Sequence, residues 1–220
     1  MKKYLIEYII SDKILIASKY YVMRELTLFL MFFIFGTLFL YSQEVFVKNG
    51  LTLSRMCSSL PIMDKNITNY TIFMGGEYFV RKHYEVSSEI GYIVKGGRDE
   101  IHSAQGYENI SKEIPCVQLS TIFRAKLSNK DNALFVGVGP RVDISLINSN
   151  SGAHYIALYK KNRCVAGLKA EIGAKTYFNK ISFGFSSHYS FDINPMFYSD
   201  YVSLRNSSLF FTLSVGYRLK

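Results

Sequence analysis

The segment Ile181–Ile193, ISFGFSSHYSFDI, separates into two faces when every second residue is read. Ile181, Phe183, Phe185, Ser187, Tyr189, Phe191 and Ile193 fall on one side. Ser182, Gly184, Ser186, His188, Ser190 and Asp192 fall on the other. Side chains of a β-strand alternate between faces, so this period of two describes a strand, whereas a helix would scatter the same aromatics around its circumference. The apolar row is long enough to cross a bilayer as a tilted strand, which takes about 9–11 residues. Its opposite face is small, hydroxylated and ionisable, too polar for the core of a soluble sandwich. The pattern predicts a barrel with lipid outside and a polar interior.

The alternation recurs from Val45 onward, and it predicts strands near Val45–Met56, Tyr70–Arg81, Tyr84–Gly96, Ile114–Leu127, Leu134–Leu146, Ala166–Lys175, Ile181–Ile193 and Ser208–Leu219. The connections alternate as well. Short ones (Arg81–His83, Ser128–Asn132, Phe178–Lys180) are interleaved with long polar ones (Cys57–Asn69, Gly97–Glu113, Ile147–Arg163, Asn194–Asn206). Short turns on one rim and long loops on the other are the layout of an outer-membrane barrel, and an even strand count puts both termini on the short-turn rim. The expected fold is all-β: an eight-stranded antiparallel up-and-down transmembrane β-barrel. Pro140 lacks a ladder donor at an outward position and predicts a local bulge or strand edge.

Composition agrees with many strands and few breaks: 17 Tyr, 17 Phe and 15 Gly accompany only 4 Pro. The formal charge of +9 is spread along alternating positions without a basic run, which argues against a nucleic-acid partner. Cys57, Cys116 and Cys164 are too irregular for a metal site or a disulfide framework and read as small apolar fillers. Leu26–Tyr41 is an apolar run preceded by Arg24 and followed by Ser42, the order of a secretory signal peptide with cleavage after Ser42. Residues 1–42 are therefore read as an N-terminal extension and signal segment, and residues 43–220 as the barrel domain. Leaving out Met1–Ser42 removes five basic and three acidic residues and leaves a balance of +7.

The inward faces carry both signs of charge. Glu77, Glu89, Lys95, Arg124, Arg141, Asp143, Lys169, Glu171, Lys175, His188 and Asp192 form the expected lumen network, with Arg81, Lys126 and Arg218 on the same faces. Arg141 and Glu171 are the expected central pair. Phe183, Phe185, Phe211 and Val215 are expected to face lipid. An eight-stranded barrel is only wide enough for its own side chains, so the charges should pair across it and close the lumen. His188 and Asp192 share a face, flanked by Ser186 and Ser190, which raises a Ser/His/Asp hydrolase as one reading and a hydrogen-bonded interior as the plainer one. Gly137 and Gly139 precede no helix, so they leave room for long interior side chains or for bending of the wall rather than forming a phosphate loop. No cofactor or metal is implied. A soluble lipocalin-like barrel holding an apolar ligand is the main alternative, and it would need the apolar rows inside.

Several short motifs resemble the PorT-like, porin-family outer-membrane β-barrels of Bacteroidota. They are Gly50-Leu51-Thr52, Ser88-Glu89-Ile90-Gly91-Tyr92 with Lys95-Gly96, Glu113-Ile114-Pro115, Gly137-Val138-Gly139-Pro140 and Ser214-Val215-Gly216-Tyr217. The resemblance spans roughly Val45 to Lys220. It implies a barrel in the bacterial outer membrane, with lipid and the barrel-insertion machinery as partners, and it extends to relatives that assist secretion. Other envelope proteins would then be met through the loops. Such barrels usually end on an aromatic residue, whereas this chain ends Tyr217-Arg218-Leu219-Lys220. Mass spectrometry of protein extracted from membranes should find an N-terminus near Gln43; an intact Leu26–Tyr41 would overturn the signal reading.

Overall fold

The computed structural model describes residues 42–58, 63–103, 106–147, 160–199 and 202–219. The expected signal run Leu26–Tyr41 lies outside the described residues. In chain order the strands are β1 (Glu44–Cys57), β2 (Ile67–Tyr78), β3 (Tyr84–Ser103), β4 (Gly106–Ser128), β5 (Asn132–Ser145), β6 (Lys160–Lys161), β7 (Cys164–Phe178), β8 (Ile181–Asp192), β9 (Phe197–Tyr198) and β10 (Ser203–Arg218). The eight long strands pair antiparallel, each with its sequence neighbour. The ring closes where β1 pairs with β10, from Glu44↔Arg218 to Cys57↔Arg205. Closure leaves the spanning sheet without an open edge, the condition for a sheet to exist in hydrocarbon.

Register fixes which residues face outward. Phe183 and Val215 are directly paired, as are Phe185 and Leu213. Phe185 is 52 % exposed and Leu213 67 %. Val47, Met74, Phe123, Val136 and Ile172 continue this exposed apolar belt on other strands. Aromatic rings at Phe79, Tyr84, Phe178 and Tyr217 border it at the rim that carries the short turns and both ends of the described barrel.

The outer end departs from the sequence expectation. Gly97–Glu113, read as a loop, continues both strands of the β3–β4 hairpin, whose pairing runs unbroken from Tyr84↔Ala125 to Ser103↔Gly106. β3 has 20 residues and β4 has 23, about twice what a tilted strand needs to cross a bilayer. β3 leaves β2 beyond Tyr92, and β4 leaves β5 beyond Cys116, so the hairpin stands above its neighbours. A strand outside lipid has water on its outer face and no reason to alternate apolar with polar, which is why it read as a loop. The short strands β6 and β9 likewise lie within expected loops and extend β10 through Lys160↔Tyr198 and Tyr198↔Ser203.

Polarity inverts along the axis. Beneath the belt the inward side chains are largely charged. Toward the outer mouth they become more apolar: Met56, Ile93, Ile114, Cys116, Val165, Phe197 and Leu204 from the strands, with Met63 and Met196 from the connections. Once the outer surface meets water rather than lipid, the hydrophobic effect again places apolar groups inside. Met63, at φ 52°, accepts a 3.1 Å bond from the Met56 amide at its carbonyl and is fully buried in this cap.

Two other expectations are corrected. Pro140 produces no bulge: β4 and β5 keep one register from Ser120↔Arg141 to Phe123↔Val138, and only the pairs at Gly139 and Pro140 are missing. A residue without an N–H deletes bonds but does not force an insertion. Cys116 is a buried filler, whereas Cys57 and Cys164 are exposed, because their parity on β1 and β7 points outward.

Phe185→Arg should destabilise the barrel by about 2–4 kcal/mol in urea unfolding from lipid vesicles. Ser203→Arg, exposed on β10 beyond the belt, should stay within about 0.5 kcal/mol of the parent. Equal effects would contradict the position of the belt.

Candidate functional site in the charged lumen

The interior of the barrel is a mesh of ion pairs. Near the turn rim, Glu44 and Glu77 face each other across the β1–β2 pairing, and Lys175 from β7 reaches both, at 3.3 Å from Glu44. Arg124 is the hub. Its guanidinium contacts Glu77 at 2.5 Å, Glu85 at 3.2 Å and Glu171, while Lys126 holds the other oxygen of Glu85 at 2.9 Å. A planar fork with several donors is well suited to serve three carboxylates at once. Deeper in, Lys48 lies 2.8 Å from Glu89 and 3.5 Å from Glu171, and Lys169 pairs with Glu89 from the other side.

A second set lies closer to the outer mouth. Lys95 bridges Asp143 at 2.5 Å and Asp192 at 2.9 Å. Arg141 contacts the same two carboxylates, Asp192 at 2.6 Å. Gln118 joins the sets, donating to Asp143 at 2.7 Å and accepting from Lys169 at 3.4 Å. Asn206 ties this level to the wall, with its amide N–H on Asp192 at 2.8 Å and its side chain on Ser54 at 2.8 Å.

Both sets are electrically balanced. The first holds five acids (Glu44, Glu77, Glu85, Glu89, Glu171) and five bases (Lys48, Arg124, Lys126, Lys169, Lys175). The second holds two of each. Charges taken out of water cost several kcal/mol apiece unless paired, and matched numbers are how this lumen meets that cost. Inward rings fill the gaps between cations: Lys169 sits 4.2 Å from the centre of Phe73, and Arg124 4.7 Å from that of Phe135. Two glycines make room. A Cβ on Gly137 would lie 2.9 Å from Arg124 Cγ, and one on Gly167 2.7 Å from Arg141 Nη2.

All eleven expected lumen residues are buried within this mesh. The expected Arg141–Glu171 pair is absent. In the β5–β7 register Arg141 lies opposite Gly167, and Glu171 opposite Gly137, four residues along the strand. At about 3.3 Å per residue the two sit on different levels. Arg81 and Arg218 also fall outside the network: Arg81 is exposed in the turn after β2, and Arg218 stacks 3.6 Å from the Tyr177 ring centre. Glu44, Lys48 and Glu85 were missed by the sequence reading. Glu85 shares the parity of Glu89, and Glu44 and Lys48 share that of Thr52, opposite the outward Leu51; that signal could have found them. The expected lipid-facing residues Phe183, Phe185, Phe211 and Val215 lie exposed on the outer surface.

His188 and Asp192 do not meet. His188 Nε2 is 2.8 Å from Ser186 Oγ and 3.0 Å from Thr212 Oγ1, while its Nδ1 is 3.0 Å from Glu171 on the neighbouring strand. The order Ser186–His188–Glu171 has the partners of a catalytic triad. A nucleophile also needs an open approach, and here Ser186 is 2 % exposed with its hydroxyl also bonded to Thr212 at 2.9 Å. Among the described residues no three His, Cys, Asp or Glu side chains are arranged to hold a metal ion.

Neither protein-family models nor curated proteins match the chain. Solved structures do. The outer membrane protein OprG of Pseudomonas aeruginosa superposes with a TM-score of 0.53 over 81 % of this chain and 97 % of its own, at 11 % identity. The fold is that of a bacterial outer-membrane β-barrel. Lower similarity extends to Neisserial surface protein A (TM-score 0.44, 10 % identity, 80 % of this chain and 97 % of that one). The Ail attachment invasion locus protein of Yersinia pestis is comparable (0.43, 16 %, 80 % and 98 %).

In this outer-membrane fold, Lys95→Met leaves Asp143 and Asp192 sharing one cation. Urea unfolding in detergent should show a loss of about 3–5 kcal/mol. Adding Asp143→Asn restores one acid to one base and should recover much of the loss. A double variant no more stable than the single would refute the four-residue set as an electrostatic unit.

Proposed function

We propose that the chain is a closed barrel of the bacterial outer membrane whose role is structural or binding and is exercised at its outer end, not a pore. The observation that carries this reading is the balanced, cross-linked charge set that fills the lumen from the turn rim to the apolar cap. A permeating ion would have to break pairs that span the barrel and then cross a layer of Met, Ile and Phe side chains. A carrier of apolar ligands would need the aromatic rows inside, and these face outward.

The tall β3–β4 hairpin, with the short β6 and β9 strands beside β10, offers the surface for partners. The resemblance to PorT-like barrels directs the search toward envelope proteins of secretion or assembly. Barrel insertion would use the C-terminal strand, in which Tyr217 is the last aromatic residue, and the segment preceding Gln43 would be removed on export. Barrel purified and reconstituted in a planar bilayer should show no large, steady conductance. A stable current of porin size would mean that the lumen is open and would overturn this proposal.

A further inference from the structure

We propose that the rim carrying the short turns binds anionic phospholipid headgroups of the leaflet it faces. The lumen network is neutral, so the whole +7 balance of residues 43–220 lies outside it. Both ends carry a share of it. Among the described residues the turn rim carries Arg81, Lys82, Lys130, Lys180 and Arg218 against one exposed acid, Asp131. At the outer end the described residues carry eight cations against five acids, Asp64, Asp99, Glu100, Glu108 and Glu113, so the two ends differ in the arrangement of charge more than in its sum.

The placement is as informative as the sign. Each short connection contributes: Arg81 and Lys82 between β2 and β3, Lys130 between β4 and β5, Lys180 between β7 and β8. All four side chains are exposed. Each stands within a few residues of the apolar border: Lys180 lies between Phe178 and Ile181, and Lys82 between Phe79 and Tyr84. At about 3.3 Å per residue the cations sit within roughly a Debye length of the belt's edge, the depth of lipid phosphates. Aromatic rings with long basic side chains just beyond them are suited to an interface whose anions are part of the membrane. Turns this short do not project the cations far from the membrane surface. A groove beside Lys82 and Lys130, lined by His83, Leu127, Ser128, Asn132 and Leu134, continues this rim onto the apolar wall.

This inference rests on the belt facing lipid, and the test separates the two ideas. The full-length barrel extracted from membranes is reconstituted in phosphatidylcholine vesicles carrying spin-labelled phosphatidylglycerol or spin-labelled phosphatidylcholine. Motionally restricted lipid at the protein surface is then measured. Phosphatidylglycerol should be selected by roughly threefold or more at low salt, with the selectivity falling toward unity near 1 M salt. The combined variant Lys82→Gln, Lys130→Gln and Lys180→Gln should lose the preference. The control Arg55→Gln, Lys160→Gln and Arg205→Gln, at the other end, should retain it. No selectivity in the parent, or undiminished selectivity in the turn-rim variant, overturns the proposal. Absence of any restricted lipid would overturn the lipid-facing belt as well.

Discussion

An unpaired amide in hydrocarbon has no water to turn to, and that constraint organises this molecule. It requires the pairing of β1 with β10, because an open edge would leave a row of orphan donors and acceptors in the membrane. Closure with eight strands then sets the width of the tube, and the width leaves space for side chains and little else. Once the outer faces are given over to lipid, the polar side chains have only the inside left. The ion-pair mesh follows from backbone hydrogen bonding.

Where lipid ends, the logic reverses within a single hairpin. β3 and β4 carry Glu89 and Arg124 inward at membrane depth, and toward the mouth Ile93 and Ile114 join Lys95 on the inner face. The pairing keeps one register throughout the switch, passing through Gly96 at φ 144°. The medium outside the wall decides the chemistry inside it.

This also explains what could be read from sequence and what could not. Strand identity and the direction of each face follow from a period of two, as Ile181–Ile193 shows, and the number of long strands follows from its recurrence along the chain. The hairpin beyond Gly97 was invisible because alternation marks a boundary between lipid and lumen, not a strand as such. The partner of Arg141 was misread because parity gives the face and says nothing of the level. Choosing Asp192 over Glu171 needs the stagger between β5, β7 and β8, which is a property of the closed ring. Likewise, the acid beside His188 comes from β7, and no spacing along β8 could have named it.

The division of the lumen into two neutral sets, joined by Gln118, has a consequence for the history of such a chain. Within the set of Lys95, Arg141, Asp143 and Asp192, a change of sign at one position is tolerable only alongside a compensating change at another. Between that set and the larger one built on Arg124, no such debt exists, because each already sums to zero. Related sequences would then drift as two blocks, substitutions correlated within each and independent across the Gln118 layer. The interior would record descent in paired steps while the outer wall, asked only to remain apolar, changed one residue at a time.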